Sequence, residues 1–98
     1  MTQNIIIRPE AVDDIFSAYD WYEEQQLGLG AEFAQELSNN MDLIIELPKM
    51  YSELYRGIRR ALLKRFPFGV YYLVNEETNI VLAVLHLAMD PERWKSRV

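Results

Sequence analysis

Ninety-eight residues, half of them apolar, suffice for one modest core and exclude an intrinsically disordered chain. The absence of cysteine removes disulfide frameworks and thiolate metal sites, and fits a reducing, cytoplasmic setting. A net charge of −5 excludes a uniformly phosphate-binding surface, the start has no signal-peptide pattern, and no apolar run approaches the roughly 20 residues of a membrane span.

The charge is unevenly placed. Up to Pro48 ten acids stand against Arg8 alone, a balance of −9; from Lys49 onward nine bases stand against five acids, a balance of +4. A two-faced molecule follows, or, more plainly, acidic solvated helices beside strands whose edges carry Lys and Arg.

In chain order, Asn4 to Arg8 reads as a short strand. Pro9 ends it and opens a helix, where its missing N–H costs nothing, and Glu10, Asp13 and Asp14 suit the positive end of the helix dipole. Val12, Ile15, Tyr19 and Tyr22 recur at helical spacing, so a helix is predicted from about Pro9 to Gln26. Trp21 and Tyr22 are adjacent and cannot both face the core, so one of them is an exposed anchor for a partner. Gly28 and Gly30 permit a tight reversal. A second helix from about Gly30 to Leu47 puts Phe33, Leu37, Met41, Ile44 and Leu47 on one face, and Pro48 stops it. The two helices form an antiparallel hairpin whose apolar stripes must rest on a sheet.

After a connector from Lys49 to Gly57, a three-stranded antiparallel meander is predicted: Ile58 to Phe66, a Pro67-Phe68-Gly69 turn, Val70 to Val74, a polar turn, and Ile80 to Ala88. The last run is apolar nearly throughout and should lie centrally in the sheet. Asp90 and Pro91 look like the cap and first position of a short terminal helical turn, with Trp94 packing back on the sheet. The fold class is α+β, in the order β-α-α-β-β-β: one domain over residues 1–98, an antiparallel-dominated sheet with the hairpin on one face and an exposed face of cations and tyrosines on the other.

Three groups of residues could carry chemistry. Alternation along the first meander strand places Arg60 and Lys64 on one face, Arg59 and Arg65 on the other. Such cations could hold phosphate or carboxylate, or guard an edge and pair with the acidic helices. His86 interrupts the last strand; it suits acid–base work on RNA with Arg60 and Lys64 about the phosphate, or it is a hydrogen-bonded structural residue. It has no second histidine and no carboxylate at ligand spacing, so neither a metal nor a cofactor is expected. Tyr51, Tyr55, Tyr71 and Tyr72 could stack on bases or simply pack the sheet.

The residues Ala11, Asp14-Ile15, Ala18, Trp21-Tyr22-Glu23, Gly28-Leu29-Gly30 with Phe33, the Pro48 stop, the run Arg60 to Tyr72 (RALLKRFPFGVYY) and the ending Val84-Leu85-His86 with Asp90-Pro91 and Trp94 resemble the RelE/ParE superfamily of type II toxin–antitoxin toxins, which includes plasmid stabilisation proteins. The ParE-like branch is the nearer likeness. The resemblance implies the same fold and a cognate antitoxin whose C-terminal segment wraps the toxin. RelE-like members cut mRNA on the ribosome; ParE-like members inhibit DNA gyrase. Relatives with this ending often carry two arginines between the histidine and Asp-Pro, where this chain has Leu87-Ala88-Met89. The resemblance therefore implies a toxin that binds a protein target such as gyrase, with Arg59, Arg65, Tyr51, Tyr71 and Trp94 facing partners. The alternatives are a ribosome-dependent endoribonuclease using His86, Arg60, Lys64 and Arg93, and a degenerate member that only binds antitoxin. Whether the chain forms a homodimer stays open.

Overall fold

The computed structural model describes residues 4–98; the start at Met1 to Gln3, on which the signal-peptide reading bears, lies outside the described residues. The elements are β1 (Asn4–Ile7), α1 (Pro9–Gln25), α2 (Leu29–Glu46), β2 (Glu53–Tyr55), β3 (Ile58–Leu62), β4 (Phe68–Asn75), β5 (Thr78–His86) and α3 (Glu92–Lys95). The expected α+β class and the helical hairpin preceding the meander are both present.

The hairpin turn is built by one carboxylate. Glu23, near the end of α1, accepts the N–H groups of Gly28 at 3.0 Å and Gly30 at 2.8 Å, and so serves the otherwise orphaned donors at the start of α2. Gly28 has a φ of 88°, which an L side chain rarely adopts. Gly30 lies so close to α1 that a Cβ would sit 2.8 Å from the Tyr19 carbonyl oxygen. The helices bury Ala11, Ala18 and Tyr22 from α1 and Phe33, Leu37 and Ile44 from α2 against Ala61, Val70, Tyr72, Val81 and Val84 of the sheet. Each large apolar side chain fully buried in this way contributes about 1.5–3 kcal/mol, more than an exposed ion pair can.

The sheet has five strands in the order β1-β5-β4-β3-β2, with β1 parallel to β5 and the other pairs antiparallel. Its second face carries a smaller core of Ile58, Tyr71, Leu82, Ala83, Leu85 and Trp94. The two faces are set by a bulge in β5: Tyr71 opposes Ala83 and Tyr72 opposes Val81, so Leu82 is one residue too many. Val81 and Val84 therefore both face the hairpin, while Leu82 and Ala83 both face away.

The structure corrects several details. The connector contains a strand, β2, which the Arg56–Gly57 turn folds onto β3 with positive φ at both residues. The basic strand stops at Leu62, and β4 already begins at Phe68, so Phe68 and Gly69 belong to a strand rather than a turn. Lys64 and Arg65 thus lie in a loop, and strand alternation does not place them. Their backbone N–H groups donate to the Glu36 carboxylate on α2, which substitutes for a ladder partner. The last strand ends at His86, not Ala88. The second sheet face is not open: the tail lays Trp94 on Tyr71, ring centroids 4.8 Å apart and nearly parallel.

Candidate functional site

On the hairpin side, α1, the start of β4 and the end of β5 leave a cavity of about 570 Å³ between them. Asp14, Ser17, Ala18, Trp21 and Tyr22 line it from α1, Pro67 and Phe68 from β4 and its approach, Val84, Leu85 and His86 from β5, and Met89 and Arg93 from the tail. Its walls are mostly apolar, with few polar groups, as in sites that receive an apolar side chain.

Trp21 resolves the question posed by its neighbour. Tyr22 is buried against Phe33 and Phe66, while Trp21 is 56% exposed at the mouth of the cavity and meets the Tyr22 ring edge-on at 5.1 Å. Their adjacency on one helix made this partition unavoidable. Burial also pushes the Tyr22 hydroxyl above the ordinary tyrosine range.

His86 faces the same cavity. Its register partner is Phe68, and the two rings meet edge-on at 5.4 Å. Nδ1 accepts the Ala88 N–H at 3.0 Å, so in the neutral imidazole the proton belongs on Nε2, leaving that nitrogen as the one available to a ligand. Arg93 is exposed at the rim and makes no ion pair among the described residues.

Arg60 is elsewhere. It opposes Tyr71 across β3 and β4, and opposed residues point to the same side, so Arg60 shares the Trp94 face of the sheet. Its side chain lies over Gly69, where a Cβ would come within 3.0 Å of Cγ and Cδ. His86 and Arg60 are therefore on opposite faces. The β5 bulge is the cause: unbroken alternation from Val81 would have turned His86 toward Arg60.

The remaining residues singled out by sequence have structural partners or stand apart. Arg59 donates to the Tyr51 carbonyl oxygen at 2.6 Å and pairs with Glu53 at 3.5 Å. Its cross-strand neighbour Tyr72 donates to the Pro48 carbonyl oxygen at 2.7 Å, so the two side chains pin the connector leaving α2. Burial pushes the Tyr72 hydroxyl up to about 12, only partly offset by the Arg59 charge. Tyr51 is half-buried against the hairpin-side core. Arg65 pairs with Glu32 on α2 at 2.7 Å, and Lys64 is exposed in its loop without an ion pair among the described residues. Tyr71 and Trp94 are stacked and buried. Among the described residues no three His, Cys, Asp or Glu side chains converge as metal ligands, and no helix is long and apolar enough to cross a membrane.

The family model described as ParE toxin of type II toxin-antitoxin system, parDE, matches residues 5–91. The chain belongs to the ParE toxin family. Among solved structures this ParE-family chain is similar to one described as a chromosomal ParDE TA system from P. aeruginosa, with a TM-score of 0.75 and 18% identity, covering 86% of this chain and 95% of that one. At that identity the likeness carries the fold alone. No curated protein matches the chain. The family match takes in the hairpin, the sheet and His86, and ends at Pro91, before Trp94 and Arg97.

Proposed function

We propose that this ParE-family chain is the toxin of a type II toxin–antitoxin pair, working in the cytoplasm by gripping a protein target, with DNA gyrase the first to test. A cognate antitoxin neutralises it by laying apolar side chains into the cavity between α1 and the His86 end of the sheet. The observation that carries the binding reading is the separation of His86 from Arg60. RNA cleavage by a neighbouring 2′-hydroxyl needs a base, an acid and cations around one phosphate. Of the residues that could supply them, Arg60 lies on the far face of the sheet and Lys64 in a loop off the strand. An apolar cavity with an exposed tryptophan at its mouth instead suits a helix or extended segment of another protein.

One observation keeps the nuclease reading in play: His86 and Arg93 line the same cavity, and among the described residues the His86 Nε2 has no hydrogen-bond partner and the Arg93 guanidinium no ion pair. Induced expression in a host without the antitoxin separates the readings. The binding reading expects growth arrest, lifted by co-expression of a cognate antitoxin, and loss of supercoiling by purified gyrase. Unimpaired supercoiling at excess protein, together with cleavage of ribosome-bound mRNA by primer extension, overturns it in favour of the nuclease. Harmless expression with retained antitoxin binding leaves a degenerate member.

A further inference from the structure

The face of the sheet away from the hairpin carries cations that the fold leaves uncompensated. Arg56 is exposed with its guanidinium carbon 5.3 Å from the centre of the Tyr55 ring, and Lys95 from the tail places its ammonium 5.0 Å from that ring and 5.8 Å from that of Trp94. Trp94 lies on Tyr71, and Tyr71 stands opposite Arg60. The ion pairs among the described residues use Arg59, Arg65 and Arg97; Arg56, Arg60 and Lys95 have no carboxylate partner.

Two physical consequences follow. An aromatic face attracts a cation but accepts few of its N–H donors, so these groups keep their hydrogen-bonding capacity for an incoming acceptor. The rings also restrain the long side chains of Arg56 and Lys95, reducing the entropy lost when a ligand fixes them. Along the chain the acids are concentrated before Pro48 and the bases after it.

We infer that the Tyr55–Trp94 face is a docking surface for an acidic segment of a partner protein, its carboxylates received by Arg56, Arg60 and Lys95. A protein segment fits better than a nucleic acid. A phosphate backbone gains affinity by meeting many cations in succession, and here the uncompensated ones are few on a chain of net charge −5. Carboxylates spaced along a peptide need only local pairing. This surface lies on the opposite side of the sheet from the His86 cavity, so its occupancy does not depend on how the cavity is read.

The two tryptophans make the test specific, since Trp21 stands at the cavity and Trp94 in the patch. Isotope-labelled full-length protein is titrated with a short all-glutamate peptide, an all-glutamine peptide of equal length and a short single-stranded oligonucleotide. The glutamate peptide is expected to move the Trp94 indole N–H signal and leave that of Trp21 in place, with binding that weakens as salt is added. Arg56→Gln with Lys95→Gln is expected to weaken it about ten-fold, and Arg60→Gln to weaken it independently. A glutamate peptide that shifts neither indole, shifts only Trp21, or binds the variants as tightly as the parent overturns the inference. So does tighter binding of the oligonucleotide, which would give the patch to nucleic acid. If a variant loses its folded spectrum, the salt dependence and the comparison of glutamate with glutamine peptide on the parent protein decide alone. An antitoxin seated in the cavity should move Trp21, so failure of that reading would be seen separately.

Discussion

Asp14 and Arg97, 83 residues apart in sequence, meet at 2.6 Å and together close the open edge of β5. β1 is paired only as far as Val81, whose carbonyl oxygen takes the Arg8 N–H. Beyond that point the bulge leaves backbone groups facing outward. The Asp14 carboxylate accepts the Val84 N–H at 3.1 Å, and Arg97 donates to the Leu82 carbonyl oxygen at 3.1 Å. The pair thus serves the backbone as a missing strand would, and it ties the tail to α1.

Because both side chains are largely buried, removing one partner leaves the other charge and a backbone group unserved. Asp14→Ala and Arg97→Ala are each expected to cost about 3 kcal/mol in denaturant unfolding, with the double variant far from additive. Arg97→Ala should also free the tail, seen as faster proteolysis after Arg93. Additive losses of a few tenths of a kcal/mol would show the pair to be idle.

Glu23 contributes to the acid limb of stability. The N–H groups of Gly28 and Gly30 hold its carboxyl below the usual glutamate range. A group depressed in the folded state stabilises above its unfolded value and loses that contribution as pH falls through its folded one. Glu23→Gln should therefore lie below the parent at neutral pH and converge with it in acid. Parallel pH profiles for parent and variant would contradict this.

Tyr72 does the opposite at the alkaline end. Its hydroxyl, pushed up to about 12, keeps its proton in the folded state after the unfolded chain has lost it. The contribution is complete below the ordinary tyrosine range and is lost as pH rises from there to about 12. Tyr72→Phe is expected to cost about 1 kcal/mol at neutral pH for the lost bond to Pro48, and to show a shallower alkaline decline than the parent. Unfolding curves recorded across that range check it.

Trp21 separates binding from folding. It is 56% exposed, so Trp21→Ala should cost under about 1 kcal/mol of stability. If the antitoxin fills the His86 cavity, the same change should weaken the complex by ten-fold or more, about 1.4 kcal/mol, in calorimetric titration. Unchanged affinity would move the antitoxin off this cavity.

Much of this architecture is legible in the residues themselves. Pro9, Pro48 and the Gly28–Gly30 reversal punctuate two periodic apolar stripes, and the helices fall within one residue of the expected limits. What escaped depends on partners remote in sequence. β2 is three residues of a polar connector and exists only because the Arg56–Gly57 turn returns it to β3. Lys64 and Arg65 look like the continuation of a strand, yet Glu36, 28 residues from Lys64, holds their backbone in a loop. The cavity escaped for a related reason: its walls come from α1, β4, β5 and the tail, and no local pattern announces their convergence. Arg97 was a cation in a tail until the fold brought it to Asp14.

Leu82, the surplus residue of the β5 bulge, acts well beyond its own position. Were it taken into the ladder as an ordinary residue, with no bulge, everything from Ala83 to His86 would turn to the opposite face. The imidazole would leave the tryptophan-mouthed hollow and emerge beside the arginine of β3, while aliphatic side chains now shared between two cores would trade places. How one surplus amino acid is accommodated thereby decides whether this scaffold presents its histidine to a guest or to a guanidinium.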